Sequence, residues 1–160
     1  QEFAQFREWS EARSLDWNLL GEERNHQMQD YVKALNKLYQ EYDALYTNDC
    51  DPIGFEWISC ENADMSVVTF VRRGATAKKQ PLFLCNFTPV TREDMLFGVP
   101  CPGTYKEILS SDEERFGGTG IVNPKVLTAK QESCDGREYS IRMTLPPLSV
   151  TVYEYDYKEK

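Results

Sequence analysis

The chain has 160 residues, 41% hydrophobic and 28% charged, enough for one globular unit that buries roughly two thirds of its unfolded surface. Its formal charge of −8 repels a polyanion such as DNA or RNA, and its apolar runs fall far short of the roughly 20 residues of a membrane-spanning helix. One histidine and five cysteines, no two of them within eight residues, leave no disulfide framework, no CxxC zinc site and no cluster of histidines for a metal.

The texture changes near residue 50. The chain opens on Gln1-Glu2-Phe3-Ala4-Gln5-Phe6-Arg7-Glu8-Trp9, which has no initiator Met, no charged apolar leader and no helix cap. Large side chains that need a packing partner crowd it, as expected of the C-terminal piece of a longer chain. A short apolar stretch, Leu15 to Leu20, closes at Gly21. Then Met28, Tyr31, Val32, Leu35, Leu38, Tyr39, Tyr42 and Leu45 recur at spacings of three and four, an amphipathic helix whose aromatic stripe is core packing. Asn25 is placed to cap its start, and Thr47-Asn48-Asp49 with Asp51-Pro52 to end it.

From Phe55 the period becomes two. Strands are expected over 55–60, 66–72, 82–86, 105–110, 139–145 and 149–155, with weaker signals at 95–99 and 126–128. Turn residues separate them, among them Arg73-Gly74, Pro102-Gly103, Asp135-Gly136 and Pro146-Pro147. Cys60 and Cys85 lie in apolar runs, where a free thiol behaves as a small hydrophobe, and unpaired cysteines suit the reducing cytoplasm. The fold class is therefore mainly β: a helical segment over 1–50, then an antiparallel, Greek-key-like sandwich over 51–160.

Catalytic patterns are missing from this pattern of residues. His26, the sole candidate base, sits at the head of an amphipathic helix with no nucleophile motif elsewhere. Gly117-Gly118-Thr119-Gly120 matches neither phosphate-binding glycine motif and reads as an exposed loop, beside which Asp112-Glu113-Glu114 reads as a solvated turn. Asn86-Phe87-Thr88 matches a glycosylation triplet by chance. No catalytic residue, cofactor or metal is assigned. Glu2, Arg7, Trp9, Asp16 and Trp17 stand apart, two indoles among charges within sixteen residues, a mixture that suits a sugar surface. Exposed aromatics on the strands would suit a second such surface, for which Trp57, Tyr105, Tyr153 and Tyr155 are candidates, although alternating strands bury such residues by default.

Several stretches in register complete the sequence reading. Glu2-Phe3-Ala4-Gln5-Phe6-Arg7-Glu8-Trp9, Ser14-Leu15-Asp16-Trp17 and Leu35-Asn36-Lys37-Leu38-Tyr39 are followed by Asp51-Pro52-Ile53-Gly54-Phe55-Glu56-Trp57-Ile58, Asn86-Phe87-Thr88-Pro89-Val90, Gly98-Val99-Pro100-Cys101-Pro102-Gly103 and Leu145-Pro146-Pro147-Leu148. In this order they resemble the C-terminal region of 1,4-α-glucan (glycogen) branching enzymes. The resemblance implies a parent with an N-terminal sandwich, a (β/α)8 barrel and this sandwich, which moves α-1,4-glucan segments into α-1,6 branches by a retaining double displacement. Residues 1–50 would be the helical tail of the barrel domain, 51–160 the C-terminal domain, and the catalytic acids would lie upstream. The partners implied are α-glucan and the intramolecular barrel, with no nucleic acid and no membrane. Asn18 stands where the family commonly shows His. The alternative is an independent carbohydrate-binding sandwich.

Overall fold

A computed structural model describes residues 2–75 and 78–157. One long helix, α1 (Glu23–Glu41), precedes eight strands: β1 (Phe55–Ser59), β2 (Val67–Arg72), β3 (Lys79–Asn86), β4 (Arg92–Val99), β5 (Thr104–Ser110), β6 (Val126–Thr128), β7 (Tyr139–Leu145) and β8 (Ser149–Asp156). All eight expected strands form, and every strand pairing is antiparallel. Six strands make one sheet in the order β1-β2-β3-β8-β5-β6; β4 and β7 make the facing pair. The last strand thus returns between β3 and β5, the long-range return of a Greek key.

The alternation read from the sequence decides which face each residue takes. Val67 and Val71 of β2, Leu82 and Leu84 of β3, and Tyr153 and Tyr155 of β8 point inward and meet Phe97, Val99, Ile141, Met143 and Leu145 of the facing pair. Tyr105, Tyr153 and Tyr155 are therefore core residues and not a ligand platform. Pro81 lies inside β3, where a proline is usually excluded. It is tolerated because the β2 ladder stops at Leu82 and Pro81 meets only Glu154 of β8.

α1 covers the part of the large sheet's outer face made by β3, β8 and β5. Leu38 packs on Leu109 and Val152, flanked by Tyr31, Ala34, Tyr42, Leu45, Phe83 and Phe116. Tyr42 also donates its hydroxyl to Glu154 Oε2 at 2.6 Å, and Lys79 and Lys106 approach the other carboxylate oxygen at 3.1 and 3.5 Å. The stripe is only partly core, because Met28, Leu35 and Tyr39, on the flank of α1 beside the sheet-facing residues, remain exposed. The helix also ends earlier than its periodicity suggests. Tyr42 is extended, and Asp43–Leu45 continue as a single 3-10 turn.

Polar side chains fix the loops. Asn86, nearly inaccessible, donates its amide to Val90 and Pro146 carbonyls at 2.8 Å each and accepts from the Thr88 amide and hydroxyl, so two neighbouring turns share one clamp. Asp112 is buried and not part of a solvated turn. Its carboxylate accepts from the backbone of Thr119 and Ile121 and from the Thr119 hydroxyl, and the glycine run folds around it. That run is consequently half-covered, with Gly118 pressed on the Asp112 backbone and no room for a Cβ. Cys85 is buried as expected; Cys60 lies just past β1 and is exposed.

Burial opposes the charge on Glu154, but its hydrogen bonds from Tyr42 and Lys79 and the nearby lysine charges outweigh that and hold its carboxyl below the usual range. A carboxyl with a depressed folded pKa stabilises above its unfolded value, about 4.3, and that stabilisation is lost as pH falls through the folded value. Glu154→Gln is therefore expected to lower the melting temperature at pH 7 and to converge with the parent chain as pH falls from about 4.3 through the depressed folded value. Calorimetry from pH 7 to pH 3 checks this; curves that stay parallel throughout contradict it.

Candidate functional site

Residues 2–21 fold back on the start of α1 as a closed loop. Phe3 is buried and stacks on Trp17, ring centroids 5.2 Å apart and planes 26° from parallel. Arg7 grips Asp16 through both ends of its guanidinium, one contact being Nε to Oδ2 at 2.9 Å. Gln5 ties the same two strands of the loop together, donating to the Arg7 carbonyl and accepting from the Asp16 amide. A short 3-10 turn, Trp17–Gly21, then leads into the helix and carries Asn18 on its exposed side.

The five expected sugar-contact residues are thus distributed unevenly. Arg7, Asp16 and Trp17 come together at the closure of the loop. Trp17 turns one face to Phe3 and leaves 55% of its surface open. Trp9 is 69% exposed and has no ring partner among the described residues. Glu2 is exposed beside buried Phe3 and makes no side-chain hydrogen bond among the described residues. The loop thus sets an open indole face next to a bidentate ion pair.

Asn25 is not the helix cap. Glu22 occupies that position without a side-chain capping bond. Asn25 is buried in the first turn and sends its amide to the carbonyls of Phe3 at 2.8 Å and Ala4 at 3.2 Å. No sequence spacing signals this role, because the acceptors lie more than twenty residues back along the chain.

A second aromatic surface lies on the strands. Trp57 is 49% exposed, and Phe55, two residues earlier on the same face of β1, meets it edge-on at 4.8 Å. Phe55 stacks on Phe70 of β2, and Phe70 on Phe83 of β3, so that a ladder of rings runs from the open edge to the flank of α1. Beside Trp57 a cleft of about 600 Å³ carries the polar groups of Ser59, Glu61, Asn62 and Asp135. Arg137 holds the edge in place, bonding the Trp57 carbonyl at 3.2 Å and Glu56 at 2.5 Å. Phe55 and Phe70 were absent from the sequence candidates, although the i, i+2 spacing of Phe55 and Trp57 already places both on one face.

His26 is on the surface with Nε2 3.4 Å from Asp30. Among the described residues Glu107 is the one carboxyl driven upward, first by burial, and it accepts from the Tyr153 hydroxyl at 3.3 Å. Among the described residues no three His, Cys, Asp or Glu side chains converge as metal ligands.

Residues 57–156 match the family described as alpha amylase, C-terminal all-beta domain. The chain belongs to that family. The all-beta domain and the segment before it are also similar to 1,4-alpha-glucan branching enzyme GlgB of Butyrivibrio fibrisolvens, 43% identical over 159 residues, covering 99% of this chain and 25% of that protein. GlgB of Cereibacter sphaeroides is 46% identical over 148 residues, covering 92% of this chain and 20% of that protein. These relatives bear out the resemblance seen in the motifs. The chain spans about a quarter of the length of the curated relatives it matches. Among solved structures, trehalulose synthase MutB in complex with Tris superposes with a TM-score of 0.54 at 15% identity, over 86% of this chain and 19% of that one, a likeness of fold alone.

The Arg7 hydrogen bond leads the causes that hold the Asp16 carboxyl below its usual value. Carboxyl NMR should find Asp16 titrating below about 3.9 in the parent chain and returning toward that value in Arg7→Ala. An unshifted Asp16 in the parent chain contradicts the closed loop.

Proposed function

We propose that this chain is the C-terminal part of a 1,4-α-glucan branching enzyme, an enzyme that transfers α-1,4-glucan segments to form α-1,6 branches. Residues 1–50 are the helical tail of its catalytic barrel domain, and 51–160 its C-terminal sandwich. One observation carries this reading above other members of the amylase superfamily. The all-beta family match begins at residue 57, whereas the branching-enzyme relatives match almost the whole chain, loop and helix included. The similarity therefore extends over the part that lies outside the shared sandwich.

In this reading the chain performs no chemistry itself. The carboxylates inside its fold are already engaged: Asp112 holds a loop, Glu154 holds the helix and Glu56 holds two arginines. The open side of α1, with Met28, Leu35 and Tyr39, faces the barrel and stabilises the parent. Glu2, Arg7, Trp9, Asp16 and Trp17 contact α-glucan at the rim of the barrel, where the active faces of such barrels lie. The enzyme works in the cytoplasm; no helix among the described residues is long and apolar enough to cross a membrane.

A second reading, an independent carbohydrate-binding sandwich, is supported by the open ring surface of Phe55, Trp57 and Phe70 beside a polar cleft. The two readings separate in one experiment. Purified residues 1–160 are incubated with amylose and the product is debranched and sized, and their mobility is followed in native gels containing glycogen. The first reading expects no new branches, and a glycogen retardation weakened at least several-fold by Arg7→Ala with Trp17→Ala. Loss of retardation only in Trp57→Ala favours the second. New α-1,6 branches made by this chain alone sink the first.

A further inference from the structure

Resting on the proposal that the 2–17 loop contacts glucan, we infer that Asn25 is a positioning residue for that contact. It acts through the loop and touches no sugar itself. Three observations converge on it. The side chain is buried, 6% exposed, at the third helical position, where its short amide would ordinarily turn to the helix's own free backbone groups. Instead both of its contacts leave the helix for the Phe3 and Ala4 carbonyls. Ala4, the second acceptor, sits at φ 54°, a left-handed conformation that a non-glycine residue holds only when its surroundings enforce it.

The consequences follow along the loop. Pinning the Phe3 and Ala4 carbonyls seats the Phe3 ring on Trp17 and leaves the opposite face of that indole open. The left-handed turn at Ala4 sends the chain back so that Gln5 and Arg7 meet Asp16. The ion pair at the surface cannot set this geometry unaided, since exposed pairs are weak and screened by salt. The buried amide can, because removing it leaves the Phe3 carbonyl, bonded away from water, without its partner.

The test uses residues 1–160 carrying Asn25→Asp. A carboxylate keeps the shape, suits the positive end of the helix and cannot donate. Trypsin cleavage after Arg7 and Arg13 is expected to accelerate about ten-fold and glycogen retardation to weaken by a similar factor, with the sandwich melting as before. Asn25→Ala, uncharged and favourable to helix, should give the same two changes. Unchanged cleavage in both variants overturns the inference. So does faster cleavage with retardation intact, provided that Arg7→Ala with Trp17→Ala abolishes retardation. Global unfolding of both variants also overturns it, since the clamp is then not local. If the parent chain is never retarded, the glucan reading of the loop fails first and takes this inference with it.

Discussion

The seam between Leu38 of α1 and the Leu109 and Val152 side chains of the large sheet is the constraint from which the architecture follows. A six-stranded sheet has two faces to cover. The β4–β7 pair covers the inner one; without α1, Val152, Leu109 and Phe83 would face water. Each such side chain contributes about 1.5–3 kcal/mol on burial. The dependence runs both ways. A 19-residue helix with no side-chain cap and only one acidic residue in its first turn is marginal by itself. It persists because its apolar stripe is taken up by the sheet.

The seam also orders what surrounds it. Tyr42, the extended residue that closes the helix with its amide still on Leu38, reaches Glu154 with its side chain, and the helix stops at Glu41 although its apolar periodicity runs on to Leu45. Phe116, in the turn that follows Asp112, meets Tyr31 of α1 edge-on at 5.2 Å, so the glycine loop and the helix brace one another. At the head of α1, Asn25 extends the same rigidity to the 2–17 loop. The candidate contact surface is thus tied to the sandwich core through a continuous chain of packed and hydrogen-bonded groups.

Much of this was legible in the chain. Strands such as Tyr139–Leu145 announce themselves because one face is buried and the other wet, and a one-residue slip would invert both. Start points were harder: Pro81 masks the first residues of β3, since its tolerance depends on where the neighbouring ladder happens to end. The charged and aromatic residues of the 2–17 loop were legible by composition, but not their pairing. Roles that depend on distant acceptors were invisible. Asn25 read as a cap because Asn commonly is one, and Asp112 read as solvated because its partners arrive only when the glycine run wraps around it. Trp57 and Tyr153 looked alike in sequence, yet Trp57 takes the outer face of its strand, where its neighbour Ile58 is buried on the inner one, and Tyr153 takes the inner face of a central strand.

The direct measure of the account is Leu38→Ala, with thermal unfolding followed at a helical band and at a near-ultraviolet tyrosine band. One shared core predicts a single coincident transition, lowered by about 2–5 kcal/mol in stability. A helix that melts early and separately, with the tyrosine transition unmoved, would contradict it.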